Sequence, residues 1–172
     1  IQLDLPTVDG PDSFDTTTTD NTLADASTIS VGDTQERNFH NETDVDFVKF
    51  SLEIDSDIAV TTSGTAGGTI IALLDDAGSV LETASSSTYP TFPTLNKTRL
   101  PAGTYYLQVS NAFPNMGFPY TLNLQANGYP TAPSDITVTP SPGKLAISWA
   151  AVTGATRYKI YYVNMAWQDA AE

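Results

Sequence analysis

Alternating apolar and polar side chains predict β-strands along most of the chain. The clearest case is the segment 104–109, which follows a proline-glycine turn at 101–103. Tyr105, Leu107 and Val109 fall on one face of this segment, and Tyr106 and Gln108 fall on the other. A period of two after a glycine turn is typical of a half-buried antiparallel strand.

The same pattern predicts seven further strands, each bounded by turn residues. No segment has sustained apolar spacing at three and four residues, and the best helical candidate, 22–26, is about one turn long. The predicted strands are 36–39, 46–52, 58–62, 69–74, 80–83, 94–100, 104–109 and 120–125. About eight short strands predict an all-β fold, an antiparallel and jelly-roll-like β-sandwich.

Composition along the chain predicts four parts. Residues 1–19 form an extended N-terminal arm, in which Ile1, Leu3 and Leu5 alternate with polar residues. Residues 20–127 form the sandwich. Residues 128–133 contain two prolines and a glycine and form a linker, and a second module occupies 134–172.

Three motifs in register resemble one family of bacterial modules. They are DVDFVKF at 44–50, the turn DDAG at 75–78 and LPAGTYYLQV at 100–109. Together they resemble the bacterial pre-peptidase C-terminal (PPC) domain over about residues 15–126. The resemblance implies a non-catalytic appendage of secreted proteases and polysaccharide-degrading enzymes. Some members bind calcium where an acidic N-terminal segment meets the Asp-x-Asp loop, and TTDN at 18–21 stands here where the family has Glu-Pro-Asn-Asp.

The C-terminal segment is similar to the first three strands of a fibronectin type III module. The matching segments are PSDITV at 133–138, LAISW at 145–149 and ATRYKIYY at 155–162, and Trp149 corresponds to the buried tryptophan of the second strand. Tyr158 and Ile160 correspond to inward positions. A complete module needs about 90–100 residues, whereas 134–172 supply about 40. We therefore expect an incomplete sandwich that was cut or that another chain completes.

The charge balance narrows the range of partners. The chain has 20 acidic and 7 basic residues and a formal charge of −13, which repels a phosphate backbone, so no nucleic acid partner is expected. No stretch approaches the ~20 apolar residues of a membrane span. With no cysteine, disulfides and thiolate zinc sites are excluded. These features fit a secreted or cell-surface bacterial protein.

Carboxylates near the start of the sandwich predict a calcium site. Asp44 and Asp46 fall on one face of a strand, where their mutual repulsion favours a bridging cation. Hard oxygen ligands of this kind suit calcium, although the same side chains also cap turns. The predicted metal ligands are Asp15, Asp20, Asn21, Asp44 and Asp46.

No catalytic constellation is evident, so we expect no enzyme activity. His40 is the only histidine, and it lies in a polar stretch with no Gly-x-Ser-x-Gly motif nearby. We interpret it as a loop residue. Paired carboxylates for glycoside hydrolysis need a cleft, which a small sandwich rarely provides.

Two proline-stiffened segments carry aromatic residues that are candidates for ligand binding. Exposed rings on rigid loops stack on sugars or bind protein ligands, and they equally often cover the ends of a sandwich. The candidates are Tyr89, Phe92, Phe113 and Phe118.

The sequence thus favours an accessory module that spaces, stabilises or targets a catalytic domain, with a polysaccharide or an extracellular protein matrix as partner. The alternative is a structural subunit of an extracellular filament. In that case the arm at 1–5 would enter the incomplete sandwich of a neighbouring copy of the same chain.

Overall fold

Strands account for most of the regular structure in the residues that the structure describes. A computed structural model describes residues 10–15, 19–41, 43–113 and 117–161. All eight predicted strands are present, and the largest difference is at the end of the last of them, predicted at Gln125 and found at Gly128. The one helix among these residues is a 3₁₀ turn at Leu23–Asp25. The strands are β1 (Ser27–Thr28), β2 (Thr34–Phe39), β3 (Val45–Leu52), β4 (Ser56–Ser63), β5 (Thr69–Leu74), β6 (Val80–Ser85), β7 (Thr94–Leu100), β8 (Gly103–Asn111), β9 (Phe118–Gly128), β10 (Thr137–Ser141) and β11 (Lys144–Ser148).

Two sheets form the first unit of the chain, residues 1–129. One sheet has the order β1-β3-β8-β5-β6 and the other has the order β2-β9-β4-β7. Every neighbouring pair is antiparallel except β1 and β3, which are parallel. Without the two-residue β1, the sheets hold four strands each in jelly-roll order. The predicted fold class is therefore confirmed.

The core of this unit follows from the period-two alternation of its strands. In β3 the buried residues Val48, Phe50 and Leu52 alternate with more exposed neighbours, and β9 has the same pattern. Inward side chains from both sheets form one apolar cluster, as expected where one face of each sheet is buried. Two inward positions carry charge instead: Arg37 in β2 and Asp46 in β3.

The second unit, residues 130–172, contains a two-stranded hairpin in its described part. In this hairpin β10 and β11 pair antiparallel, with Val138 opposite Ile147. The third predicted strand is not formed over 155–161. In a two-sheet module that strand belongs to the opposite sheet, and the described part of this unit has no strand of that sheet with which it can pair.

Apolar side chains of the second unit remain open to solvent. Ile136 is 57% exposed, Leu145 61% and Ile160 54%. Trp149, which the sequence places in a core, is half-buried, with its ring 5.1 Å from that of Tyr158. The part of the chain that the structure describes contains no helix that could span a lipid bilayer.

Candidate functional site

The N-terminal segment of the described chain lies against strands β2 and β3, where backbone hydrogen bonds fix it. The Asn38 N–H donates to Asp12 Oδ2 at 2.9 Å, and the Phe47 N–H donates to the Asp20 carbonyl at 2.7 Å. The Val45 N–H donates to Asn21 Oδ1 at 2.9 Å. Residues 12–15 and 19–21 therefore follow one edge of the sandwich and bring their carboxylates to strands that carry charge of their own.

Arg37 is the centre of a buried charge network. Its Nη1 lies 2.8 Å from Asp20 Oδ2 and 3.1 Å from Asp46 Oδ1, and all three side chains are excluded from solvent. The guanidinium carbon lies 4.1 Å from the centre of the Phe14 ring, a cation-π contact. The Tyr120 hydroxyl donates to Asp46 Oδ2. An internal cation thus occupies the place between two of the predicted metal ligands.

Desolvation dominates the electrostatics of this network. It raises the pKa of Asp46 to about 8, although Arg37 and the Tyr120 hydroxyl both act to lower it. Burial likewise raises the pKa of Tyr120 well above its usual value. Since removing one partner would leave an uncompensated buried charge, the members depend on one another.

A second cluster lies beside the network, in the loop between β2 and β3. His40 Nδ1 is 2.7 Å from Asp44 Oδ2 and 3.4 Å from Asp15 Oδ2, and neither contact has the direction of a hydrogen bond. Asp44 Oδ2 accepts the backbone N–H of His40 at 2.9 Å. Both Asp15 oxygens and Asp44 Oδ1 are buried with no hydrogen-bond partner. Burial, with Asp44, Asp12 and Asp20 nearby, raises the pKa of Asp15 to about 6.

The structure therefore does not bring all five predicted metal ligands together at one point. Asp15 and Asp44 meet at His40, whereas Asp20 and Asp46 meet at Arg37. The Asn21 side-chain oxygen is engaged by the backbone. Among the described residues, two groups of side chains have ligand atoms close enough together for one ion: the all-oxygen group Asp12, Asp15 and Asp46, and the mixed group Asp15, His40 and Asp44.

Sequence reasoning missed Arg37 and Asp12 and gave His40 no chemical role. One signal was present for Arg37, since it shares the inward face of β2 with Phe39 and a charge at such a position demands a partner. Asp12 offered no comparable signal, because its place depends on how the N-terminal segment folds back. His40 does lie in a loop, but its ring faces two carboxylates.

The four candidate aromatic residues differ in exposure. Tyr89 is 49% exposed and its ring meets that of the half-buried Phe113 at 5.7 Å. Phe92 is half-buried and packs on Phe118. Phe118 is fully buried at an inward position of β9, so burial leaves it no surface for a ligand and its role is to fill the core. Tyr89 is the ring of this set that is open to a partner.

No protein-family model matches this sequence, and no match is found among curated proteins. The pre-peptidase C-terminal domain of a Bacillus anthracis collagenase is similar in structure, with 16% identity and a TM-score of 0.47, over 58% of this chain and 94% of that domain. PliG of Aeromonas hydrophila, a periplasmic inhibitor of g-type lysozyme, has 10% identity and a TM-score of 0.47, over 59% and 97%. Salmonella Typhimurium PliG has 17% identity and a TM-score of 0.42, over 58% and 97%.

Proposed function

We propose that this chain is a non-catalytic accessory module of a secreted bacterial protease or polysaccharide-degrading enzyme. The observation that carries the proposal is that the buried charged side chains pair with one another. Arg37, Asp20 and Asp46 hold the N-terminal segment on the sandwich, and their charged atoms face one another instead of an open cleft. Charged side chains that fix a chain segment, and that are not open to a substrate, suit a module that spaces or stabilises a neighbouring domain.

The targeting role of such a module would rest on Tyr89. Its ring is half exposed and is supported edge-on by Phe113, an arrangement that offers a rigid flat surface to a sugar or to a protein side chain. A polysaccharide or an extracellular protein matrix is the partner that we propose for this surface. Secretion or display at the bacterial cell surface follows from that partner.

Calcium is the structural ion that we propose for the all-oxygen group Asp12, Asp15 and Asp46. Calcium accepts six to eight oxygen ligands with tolerant geometry, so backbone carbonyls and water would complete its shell. The ion would offset the burial and the neighbouring carboxylates that together raise the pKa of Asp15. It would fix the N-terminal segment to the edge of the sandwich.

A binding assay on insoluble polysaccharides and fibrous protein tests the targeting role. We expect retention on at least one matrix, no soluble product, and a roughly tenfold weaker Kd for Tyr89→Ala, because an aromatic anchor contributes about 1–2 kcal/mol. Tyr161→Ala removes a ring that is 80% exposed elsewhere and is the matched control. Release of product would contradict the non-catalytic role, and absence of retention on every matrix would contradict targeting.

The filament remains a second proposal, which the open apolar face of the second unit favours. Val138 in β10 is 52% exposed beside Ile136, and a hairpin with such a face can accept a strand from another chain. The proposed donor, residues 1–5, lies outside the described residues. Size measurements at two concentrations, with and without residues 1–10, decide the matter: a monodisperse monomer in every case rules the filament out.

A further inference from the structure

We propose that Asp15, His40 and Asp44 form a binding site for Zn²⁺. This site shares Asp15 with the all-oxygen group proposed for calcium and differs from it in having a nitrogen ligand. The mixed group joins the N-terminal segment, through Asp15, to the loop between β2 and β3, through His40 and Asp44. A metal bound there would clamp the two segments together.

The geometry of the group suits a small ion. One ligand atom from each residue lies within 4.8 Å of the other two, and His40 Nδ1 lies 2.7 and 3.4 Å from the nearest carboxylate oxygens. Two ligands about 2.1 Å from a tetrahedral metal are about 3.4 Å apart. The three side chains therefore need to shift by less than an ångström on average to surround one, roughly the difference between these separations.

The unpartnered carboxylate oxygens of Asp15 and Asp44 indicate a place where a cation can bind. Asp15 is 7% exposed and Asp44 2%, yet three of their four carboxylate oxygens have no hydrogen-bond partner. Buried polar atoms are nearly always paired, so this group of exceptions calls for a cause. Arg37 compensates the charge of the neighbouring Asp46 and pairs with Asp20 Oδ2. Asp15 and Asp44 have the His40 ring beside them, and Asp44 Oδ2 also accepts the His40 backbone N–H.

The donor types select the ion. Calcium and magnesium bind oxygen almost exclusively, whereas one imidazole nitrogen with two carboxylates is a ligand set that zinc accepts. Three protein ligands leave a fourth position for water. With Nδ1 on the metal, the ring proton would sit on Nε2, which lies 2.8 Å from the side-chain nitrogen of Asn41. The Asn41 amide would have to turn its oxygen away from the N–H and hydroxyl of Thr43 to accept that proton.

Thermal unfolding of the tag-free, chelator-treated chain tests the proposal. The absence of a polyhistidine tag matters because His40 is the only histidine in the sequence. At Zn²⁺ one hundred times its Kd, we expect the midpoint to rise by about 5–10 °C, and Mg²⁺ at the same concentration to leave it unchanged. A parallel titration with Ca²⁺ tests the calcium proposal in the same assay.

Two variants separate a ligand role from a structural one. His40→Gln should weaken Zn²⁺ binding by at least about 10–100-fold while the Ca²⁺ response is retained. Asp15→Asn should raise the midpoint of the metal-free chain, since it removes a buried charge that has carboxylate neighbours and breaks no side-chain hydrogen bond, and it should abolish the zinc response. Asp76→Asn, a charge change in an exposed turn, is the matched control and should respond as the parent does.

A readout on the ring itself completes the design. The carbon-bound proton signals of the single imidazole should shift on addition of Zn²⁺, and Co²⁺ in its place should give visible d–d absorption that His40→Gln removes. A response to Ca²⁺ alone overturns the zinc site and supports calcium, and a response to neither ion overturns both. A zinc response that survives His40→Gln also overturns the proposal, because the nitrogen ligand would then be irrelevant.

Discussion

At the scale of single residues, Arg37 shows how a sandwich core can contain charge. Its guanidinium meets Asp20, Asp46 and the Phe14 ring, and Gln35 Oε1 accepts hydrogen bonds from its Nε and Nη2. Gln35 lies on the same strand as Arg37, and the other three partners lie on other segments of the chain. The arginine therefore links the N-terminal segment to strands of both sheets.

Replacement of Arg37 by methionine should destabilise the fold by about 3–5 kcal/mol, because Asp20 and Asp46 would remain buried without their cation. Lys97→Met is the control, since the exposed Lys97–Glu82 pair, 3.2 Å apart, should contribute less than about 1 kcal/mol. Urea unfolding of the three proteins measures both effects. Adding Asp20→Asn and Asp46→Asn to Arg37→Met should recover part of the loss, and no recovery would argue against the charge network as the cause.

Gly67 offers a second test at this scale. It has φ +89°, and an added Cβ would lie 2.3 Å from Phe118 Cδ1. Gly67→Ala should cost about 1–2 kcal/mol for the backbone and a further ~1–3 kcal/mol for crowding of the core. Gly32→Ala, with φ +94° and no atom within 4 Å, isolates the backbone part. Equal losses in unfolding free energy for the two variants would show that the Phe118 ring moves aside without a measurable cost, contrary to this prediction.

At the scale of elements, the sheets of the first unit and the hairpin of the second differ in how many neighbouring strands and buried side chains stabilise them. β9 has a strand on each side and an apolar face against the opposite sheet, whereas β10 and β11 have each other and exposed side chains. Two-stranded hairpins are marginally stable alone. The same strand pattern in the sequence thus yields elements of different stability.

Amide hydrogen exchange should reveal this difference. We expect amides of β9 to exchange at least about a thousand times more slowly than those of β10 and β11, since the first open only with the whole fold and the second open locally. The measurement is exchange followed by mass spectrometry of peptic fragments at low protein concentration. Similar protection in both places would mean that another surface covers the hairpin.

At the scale of the whole molecule, local patterns in the sequence predicted the sandwich, because each strand carries its own alternation of apolar and polar residues. The jelly-roll order agreed because turns and strand lengths restrict how eight strands can pair. Long-range contacts were beyond the reach of such patterns. The pairing of Asp15 with His40 and of Asp20 with Arg37 depends on the N-terminal segment returning across β2 and β3. Over residues 155–161 the predicted third strand of the second unit is not formed, because the described part of that unit offers it no partner strand.

The parallel pairing of β1 with β3 has a consequence for how the protein behaves when crowded. β1 pairs with β3 at Val48 and Lys49, and the carbonyl of Asp20 occupies the N–H of Phe47. β1 and the Asp20 carbonyl therefore protect the edge of β3, whose backbone N–H groups could otherwise pair with a strand of another molecule. A substitution that releases these residues, such as Arg37→Met, should expose the edge of β3 and promote edge-to-edge aggregation.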